Sequence, residues 1–410
     1  MKNFEQMLDR YAKLAVQVGV NIQPGQSLML TVPIAHVKFA RLIAKYAYQA
    51  GAKHVHIDWY DDELTRLTYE LAPDESFTEY PQWKANGYEE LAEQGAAFLH
   101  IRATDPKLLE GIDPVRIANA SKAYKEAVSN FRSKIMSDRV CWSLIAIPTP
   151  AWAAMVFPEL DESKQMDAMW NAIFNMVRLD QENPVQAWKD HHQFLTAKAD
   201  YLNKKKYRLL QYRAPGTDLQ IELPPEHLWT GGGSISETGT LFMANMPTEE
   251  VFTVPLKNGV NGTVRSSKPL SYNGVLISDF SFTFRDGRII EFSAKTGYET
   301  LLQLVDTDEG ARYLGEVALV PHNSPISLMN RIFYNSLIDE NASCHLAIGD
   351  AYTICLENGR DLTPEAVKAT GINSSLVHCD FMIGSEEMDV DGVTAEGVVE
   401  PIFRKGQWVF

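Results

Sequence analysis

The chain is 410 residues long, 45% hydrophobic, and carries a formal charge of −15 at pH 7. That length suggests about two to three domains. The acidic charge is interspersed, which argues against nucleic acid and anionic membrane as partners, because both select basic patches.

Apolar side chains at Phe4, Leu8, Tyr11, Leu14, Ala15 and Val18 give the opening segment the spacing of an amphipathic helix. Acidic residues interrupt it, so it does not read as a signal peptide. No later segment approaches the ~20 apolar residues of a membrane span. The turn Gln23-Pro24-Gly25 precedes a short apolar run at Ser27–Pro33, predicted as a strand. His36–Ala50 has helical spacing and ends at Gly51. His54–Trp59 alternates as a strand, Glu63–Leu71 returns to helix, and Ala97–Ala103 is another strand. Helical pattern over 113–138 then leads to Trp142–Pro148. Strands separated by helices of this length predict a parallel-type sheet with crossover helices. No GxGxxG motif follows any of these strands, so a dinucleotide site lacks its physical basis.

Residues 151–206 read as helical throughout and end in Lys204-Lys205-Lys206, with Arg208 beyond. Cations there suit a helix C-terminus far better than a polyanion site. After 207 the pattern changes. Tyr207–Arg213, the turn residues Ala214-Pro215-Gly216-Thr217-Asp218 and Leu219–Leu223 predict a hairpin. Further strands are predicted at Leu241–Pro247, Val251–Pro255, Val275–Phe284 and Arg288–Ala294, and helices at 298–314 and 325–339. The fold class is therefore α/β: an N-terminal α/β domain over 1–206, then a β-rich α+β domain over 207–410. Four cysteines (Cys141, Cys344, Cys355, Cys379) show no zinc-cage or CxxC spacing. So few in a chain this size suit a reducing compartment, and the expected location is cytoplasmic.

Chemistry concentrates in the last 165 residues. In Val377-His378-Cys379-Asp380-Phe381-Met382 the strand period puts His378 and Asp380 on one face and Cys379 and Phe381 on the other. A hydrogen-bonded His–Asp pair explains that segment alone as well as a ligand pair does. Glu316 is the only charge in Leu314–Pro321, a run apolar on both faces, which predicts a central strand. A buried glutamate needs a partner. Arg312 and a metal ion are equal candidates. Glu250 follows turn residues at Thr248 and Glu249, and His345 lies among apolar neighbours. Either taken singly has an ordinary structural explanation.

Jointly the residues say more. Three carboxylates and two imidazoles exceed the needs of one tetrahedral zinc with an open position. They fit two divalent ions about 3.5–4 Å apart that share a carboxylate, of zinc, cobalt or similar type. The remaining histidines of the first half (His36, His54, His56, His100, His191, His192) take surface or core roles.

At these motifs the chain resembles the aminopeptidase T / aminopeptidase S family of two-metal aminopeptidases. The likeness runs from Val20–Gln26 to the end. It is most specific at Asn245–Thr253, Leu314–Val320, His345–Tyr352 and His378–Gly384. The resemblance implies that Glu250, Glu316, His345, His378 and Asp380 bind two ions, with Glu316 as the bridge. It implies further that Tyr352 is a catalytic tyrosine and that Glu340 lies near the site as a ligand or as the base. Peptides would be the substrates, and a homodimer would enclose the active sites. Two alternatives stand beside it. A two-metal phosphoesterase would use similar ligands but wants Arg or Lys for phosphate, and the four motifs contain none. A non-enzymatic binding protein would use Gly231-Gly232-Gly233-Ser234 as an anion cradle, although a glycine run between strands is more often a turn.

Overall fold

The computed structural model describes residues 3–103, 105, 107–272 and 274–410. Two compact units emerge: Met1–Asp190 with Gly233–Pro247, and His191–Gly232 with Thr248–Phe410. The sequence suggests a boundary at 206/207, and two features account for the different division by compactness. The helix over Pro184–Lys205 is continuous, and its Leu195, Ala199 and Leu202 are buried in the core of the second unit. The short strand Asn245–Met246 pairs in parallel with Leu144 and Ile145 of the first.

The first unit is built on four parallel strands, β1 (Leu28–Pro33), β2 (Val55–Tyr60), β3 (Ala97–Arg102) and β4 (Trp142–Ala146). They lie in the order β2-β1-β3-β4, and Asn245–Met246 completes the sheet beside β4. Helices α1 (Phe4–Leu14), α2 (Val37–Gln49), α3 (Asp62–Leu71), α4 (Gln82–Glu93), α5 (Pro114–Ala127) and α6 (Ser129–Met136) surround it. Alternation along β1 sends Leu28, Leu30 and Val32, all fully buried, to one face. Met29 on the other face joins Phe98, Tyr88, Phe131 and Ile135 in a separate cluster. Helix α4 has no counterpart in the sequence reading. Its buried positions are Ala85, Tyr88 and Ala92, two of them small, so its apolar stripe is faint. Residues 113–138 form two helices with a break at Val128, and 151–206 form three: α7 (Pro150–Val156), α8 (Glu162–Met176) and α9 (Pro184–Lys205). Pro158 and Pro184 mark the two interruptions.

The second unit holds two antiparallel sheets. An eight-stranded sheet includes the predicted hairpin, Leu209–Ala214 paired with Thr217–Glu222 across Pro215-Gly216. Gly216 there has φ +79°, the conformation that its turn demands. The five-stranded sheet contains β5 (Val251–Thr253), β6 (Leu314–Leu319), β7 (His345–Gly349) and β8 (His378–Met382), in the order β8-β7-β6-β5, with Thr230–Gly231 at the edge. The two sheets share one core. Leu346, Ile348, Cys379 and Phe381 pack with Leu210, Tyr212 and Leu219, and the Phe381 and Phe282 ring centroids are 5.2 Å apart. The opposite face of the five-stranded sheet is left for polar side chains. Three expectations are corrected here. Leu241–Pro247 is not one strand but two two-residue strands, Val275–Phe284 is split into Val275–Ile277 and Ser281–Arg285, which lie in different sheets, and the segments 298–314 and 325–339 hold only short helices at Tyr298–Val305, Pro325–Leu328 and Ser336–Asp339.

Candidate metal centre

Register brings the singled-out residues together. Ala347 of β7 lies opposite Glu316 of β6 on one side and Asp380 of β8 on the other. Directly opposed residues of antiparallel strands share a face, so the two carboxylates flank one alanine methyl. His345 lies one step along β7, opposite Ala318, and His378 one step along β8, opposite Gly349. Small residues, Ala318, Ala347 and Gly349, thus leave room between all four polar side chains. A register shift between Leu314 and Glu316 places a bulge at Gly315, beside the site. A Cβ on Gly315 would meet Asp350 O at 2.1 Å, so only glycine fits the bulge that aims Glu316.

Glu250, just before β5, reaches the same face. Glu250, Glu316 and His345 are buried to 7%, 4% and 1% exposure, while His378 and Asp380 are half-buried. His345 Nε2 lies 3.1 Å from Glu250 Oε2 and 3.5 Å from Glu316 Oε1. His378 Nε2 lies 3.5 Å from Glu316 Oε2 and 3.4 Å from Asp380 Oδ1. Each carboxylate oxygen of Glu316 therefore faces a different imidazole. Both Nδ1 atoms face backbone carbonyls, His345 to Ser343 O at 3.1 Å and His378 to Asp350 O at 2.8 Å. A carbonyl only accepts, so Nδ1–H donates and Nε2 carries the lone pair of each neutral ring.

The alternative partner for Glu316 is excluded, because Arg312 pairs with Asp306. No Lys or Arg among the described residues forms an ion pair with Glu250, Glu316, Glu340 or Asp380. The expected strand faces hold as well: Cys379 points into the core, and all four cysteines are buried thiols outside any disulfide among the described residues. At the glycine run, Gly231 sits in the edge strand against β5, where a Cβ would meet Glu250 O at 2.6 Å. Close backbone packing accounts for that glycine.

Without cations the cluster is electrostatically unsettled. Burial lifts the Glu316 carboxyl to about 7, with Asp380 adding to the rise and His345 and His378 opposing it. Burial works against a charged His378, yet Asp380 and Glu316 outweigh it and raise the ring to about 10. His345 is raised likewise, as Glu250 and Glu316 overcome its burial. Asp380 resists its own burial and is lowered, chiefly by His378. Glu340, at the turn after Ser336–Asp339, is raised well above the usual range by burial and then by Asp380 and Glu250. A bound cation reverses this logic by favouring every carboxylate and every neutral imidazole.

The residues fit such cations. Ligand atoms of Glu250, Glu316 and His345 lie within 4.8 Å of one another, as do those of Glu316, His378 and Asp380. Asp380 Oδ1 is buried without a hydrogen-bond partner, an acceptor that a cation would satisfy. Oxygen and imidazole donors without thiolate suit zinc, cobalt and related divalent ions.

Glu340 stands beside the cluster but outside both triads, 3.5 Å from Asn341 Nδ2. The Tyr352 ring packs 4.6 Å from the His378 ring and 6.4 Å from Phe252. Among the described residues its hydroxyl makes no hydrogen bond, so the backbone partner that a purely structural tyrosine would have is absent. Two supporting residues escape the sequence reading. Asn341 Oδ1 accepts from Glu249 N at 2.7 Å, pinning the segment that presents Glu250. His191 lies in the second unit, its Nε2 2.8 Å from Thr248 O. Only the position of Asn341 next to Glu340 hints at such a role.

Comparison with known proteins shows the family. The profile of the thermophilic metalloprotease (M29) family matches residues 4–408. Aminopeptidase 2 of Geobacillus stearothermophilus is 55% identical over 410 residues, covering all of this chain and 99% of the relative. Aminopeptidase AmpS of Bacillus subtilis is 51% identical with both chains fully covered. The solved structure of wild-type AmpT from Thermus thermophilus superposes with a TM-score of 0.93 at 41% identity, over 99% of this chain and 100% of that one. The chain belongs to the thermophilic metalloprotease (M29) family.

Proposed function

We propose that the protein is a metal-dependent aminopeptidase that removes N-terminal residues from peptides, with Glu250, Glu316 and His345 holding one divalent ion and Glu316, His378 and Asp380 a second. The observation that carries this reading is Glu316, whose two oxygens face two separate imidazoles. Family membership and relatives that bear aminopeptidase names support it. When bound, paired divalent ions supply Lewis acidity toward a carbonyl and lower the pKa of water to near neutrality.

The chain's own residues do the rest. The backbone carbonyls of Ser343 and Asp350 fix both imidazoles by their Nδ1–H. Glu340 stands free of both triads, and as the carboxylate, the form that neighbouring cations would favour, it would take a proton from water and return it to the leaving amine. The Tyr352 hydroxyl, without a hydrogen bond among the described residues, would donate to the oxygen on which negative charge develops, a role that its ring beside His378 supports. Zinc or cobalt as the ion, a homodimer as the assembly and the cytoplasm as the location belong to the same reading. The absence of basic residues from the cluster favours a peptide over a phosphate ester. Hydrolysis of leucyl anilide before and after chelation tests it: activity should vanish on stripping and return with added zinc or cobalt. Full activity in metal-free protein would overturn it.

A further inference from the structure

The first unit contains polar groups for which the metal centre has no use. Its strand order is β2-β1-β3-β4, so the chain leaves β1 for the edge and then crosses back to the other side of it. In open parallel sheets a crevice forms beyond the C-terminal ends of the two strands where the order reverses. Here a cavity of about 560 Å³ runs along one face of the sheet, under α5 and α6, to the C-terminal ends of β2 and β3, within the range of small-molecule sites. Thr31, His100 and Leu144, paired in register on adjacent strands, line it in one row. Trp142 comes one step before this row and Arg102 one step after.

Two atoms there lack what burial demands. Thr31 Oγ1 and Trp142 Nε1 are buried and have no hydrogen-bond partner. Leaving such groups unmet costs roughly 1–3 kcal/mol each. Charged groups of both signs join them. Arg102 and Arg132 line the cavity, and neither guanidinium makes a hydrogen bond or ion pair with any described residue. Asp62 and Asp105 line it too, and burial, then Asp105 and Asp61, holds the Asp62 carboxyl above its ordinary value. Leu108, Phe131 and Ile135 add apolar wall.

These groups discriminate among occupants. A phosphate ester would gain from two guanidiniums but would face a pair of carboxylates. It would also lack a glycine-rich turn, since β1 is followed by Ile34-Ala35-His36. A wholly apolar molecule would leave Thr31 and Trp142 unmet. A zwitterion with an apolar body meets charges of both signs, the Thr31 hydroxyl and the apolar wall.

We propose that this cavity binds a free amino acid with an apolar side chain. Its carboxylate lies toward Arg102, Arg132 and the Thr31 hydroxyl, its ammonium toward Asp62 and Asp105, and its side chain against Leu108, Ile135 and Leu144. Such a molecule has the chemistry of the product named in the proposed reaction, but binding here requires nothing of the metal centre.

Calorimetric titration of the full-length, metal-loaded protein with L-leucine tests the site. One equivalent should bind in the wild type and equally in Glu316→Gln, which removes the metal centre as a competing place for leucine. Arg102→Gln and Thr31→Val should each bind about tenfold or more weakly, the loss expected for one charged or buried hydrogen bond. Leucinamide, without the carboxylate, and isocaproate, without the ammonium, should weaken comparably. Both variants should keep their circular dichroism and their rate on leucyl anilide, because neither residue touches the metal centre. Absence of saturable binding at millimolar leucine would overturn the proposal. So would binding that disappears in Glu316→Gln yet survives in Arg102→Gln, which would put the leucine at the metals. Unchanged affinity in Thr31→Val, together with raised stability, would mark its hydroxyl as a structural defect and sink the assigned pose.

Discussion

Glu316 and Tyr352 carry the sharpest consequences at the scale of single residues. Glu316→Gln keeps the volume but removes the charge that, in the proposed centre, would let one side chain serve two cations. Metal affinity should fall by more than the roughly 10–100-fold typical of losing a supporting partner, and activity should almost disappear. Metal analysis of the folded variant alongside its rate checks this, and normal stoichiometry at a normal rate would return Glu316 to a structural role. Tyr352→Phe deletes one hydroxyl with no partner to lose. Turnover should drop by roughly 10²–10³-fold, with metal content and KM near normal, because a donor to a developing oxyanion acts on the transition state. Lower thermal stability with an unchanged rate per folded molecule would contradict it. Glu316 stood out in the sequence because a buried charge in an apolar strand is costly and therefore informative, whereas Tyr352 stood out only through the family resemblance. The choice between Arg312 and a metal for Glu316 was not legible. It depends on Arg312 turning to Asp306, a contact that spacing does not encode.

Elements extend the argument, since the site exists only if four strands keep their register. Strand faces were readable from period-two alternation, and His378 and Asp380 do share a face opposite Cys379. The bulge at Gly315 was not readable, because its cause is the nearby carbonyl of Asp350, supplied by a segment 35 residues on. Gly315→Ala should cost roughly 1–3 kcal/mol as its methyl displaces that backbone. It should also lower metal affinity by re-aiming Glu316, whereas a stability loss with metal affinity intact would separate the bulge from the site. In the first unit, β1 to β4 were recognisable from apolar runs, but α4 was not, since Ala85 and Ala92 give it little hydrophobic contrast. His100 on β3 adds a pH dependence. Burial pushes its imidazole down to about 4, with Arg102 reinforcing and Asp58 opposing. The folded state thus takes up this proton less readily than the unfolded chain. The stabilisation is complete above about pH 6.5 and is lost as pH falls toward 4, by roughly 3 kcal/mol. Denaturant titrations at pH 7 and pH 4.5 should find the wild type losing more stability than His100→Gln. Equal losses would show that His100 is not held neutral.

For the whole molecule, the division into two units makes the effect of metal a local one. Carboxylates and imidazoles that must be gathered on β6, β7 and β8 repel or misprotonate when no cation is present, as the raised Glu316 and His378 attest. Cations that bind only the folded arrangement stabilise it by mass action, about 2.7 kcal/mol at a hundredfold excess over Kd. None of these ligands lies in the first unit, whose sheet is held by its own parallel pairings and by fully buried Leu28, Leu30 and Phe98. Amide hydrogen exchange, read peptide by peptide with and without chelator, resolves the two. Protection should fall across β5 to β8 on chelation and remain unchanged across β1 to β4. Uniform loss over the whole chain would mean that the two units unfold as one cooperative body, and loss confined to β1 to β4 would place the functional metal elsewhere. A β-rich region after the helical one was readable in the sequence but not this division, because α9 and Asn245–Met246 are each assigned by what they pack against rather than by where they fall in the chain.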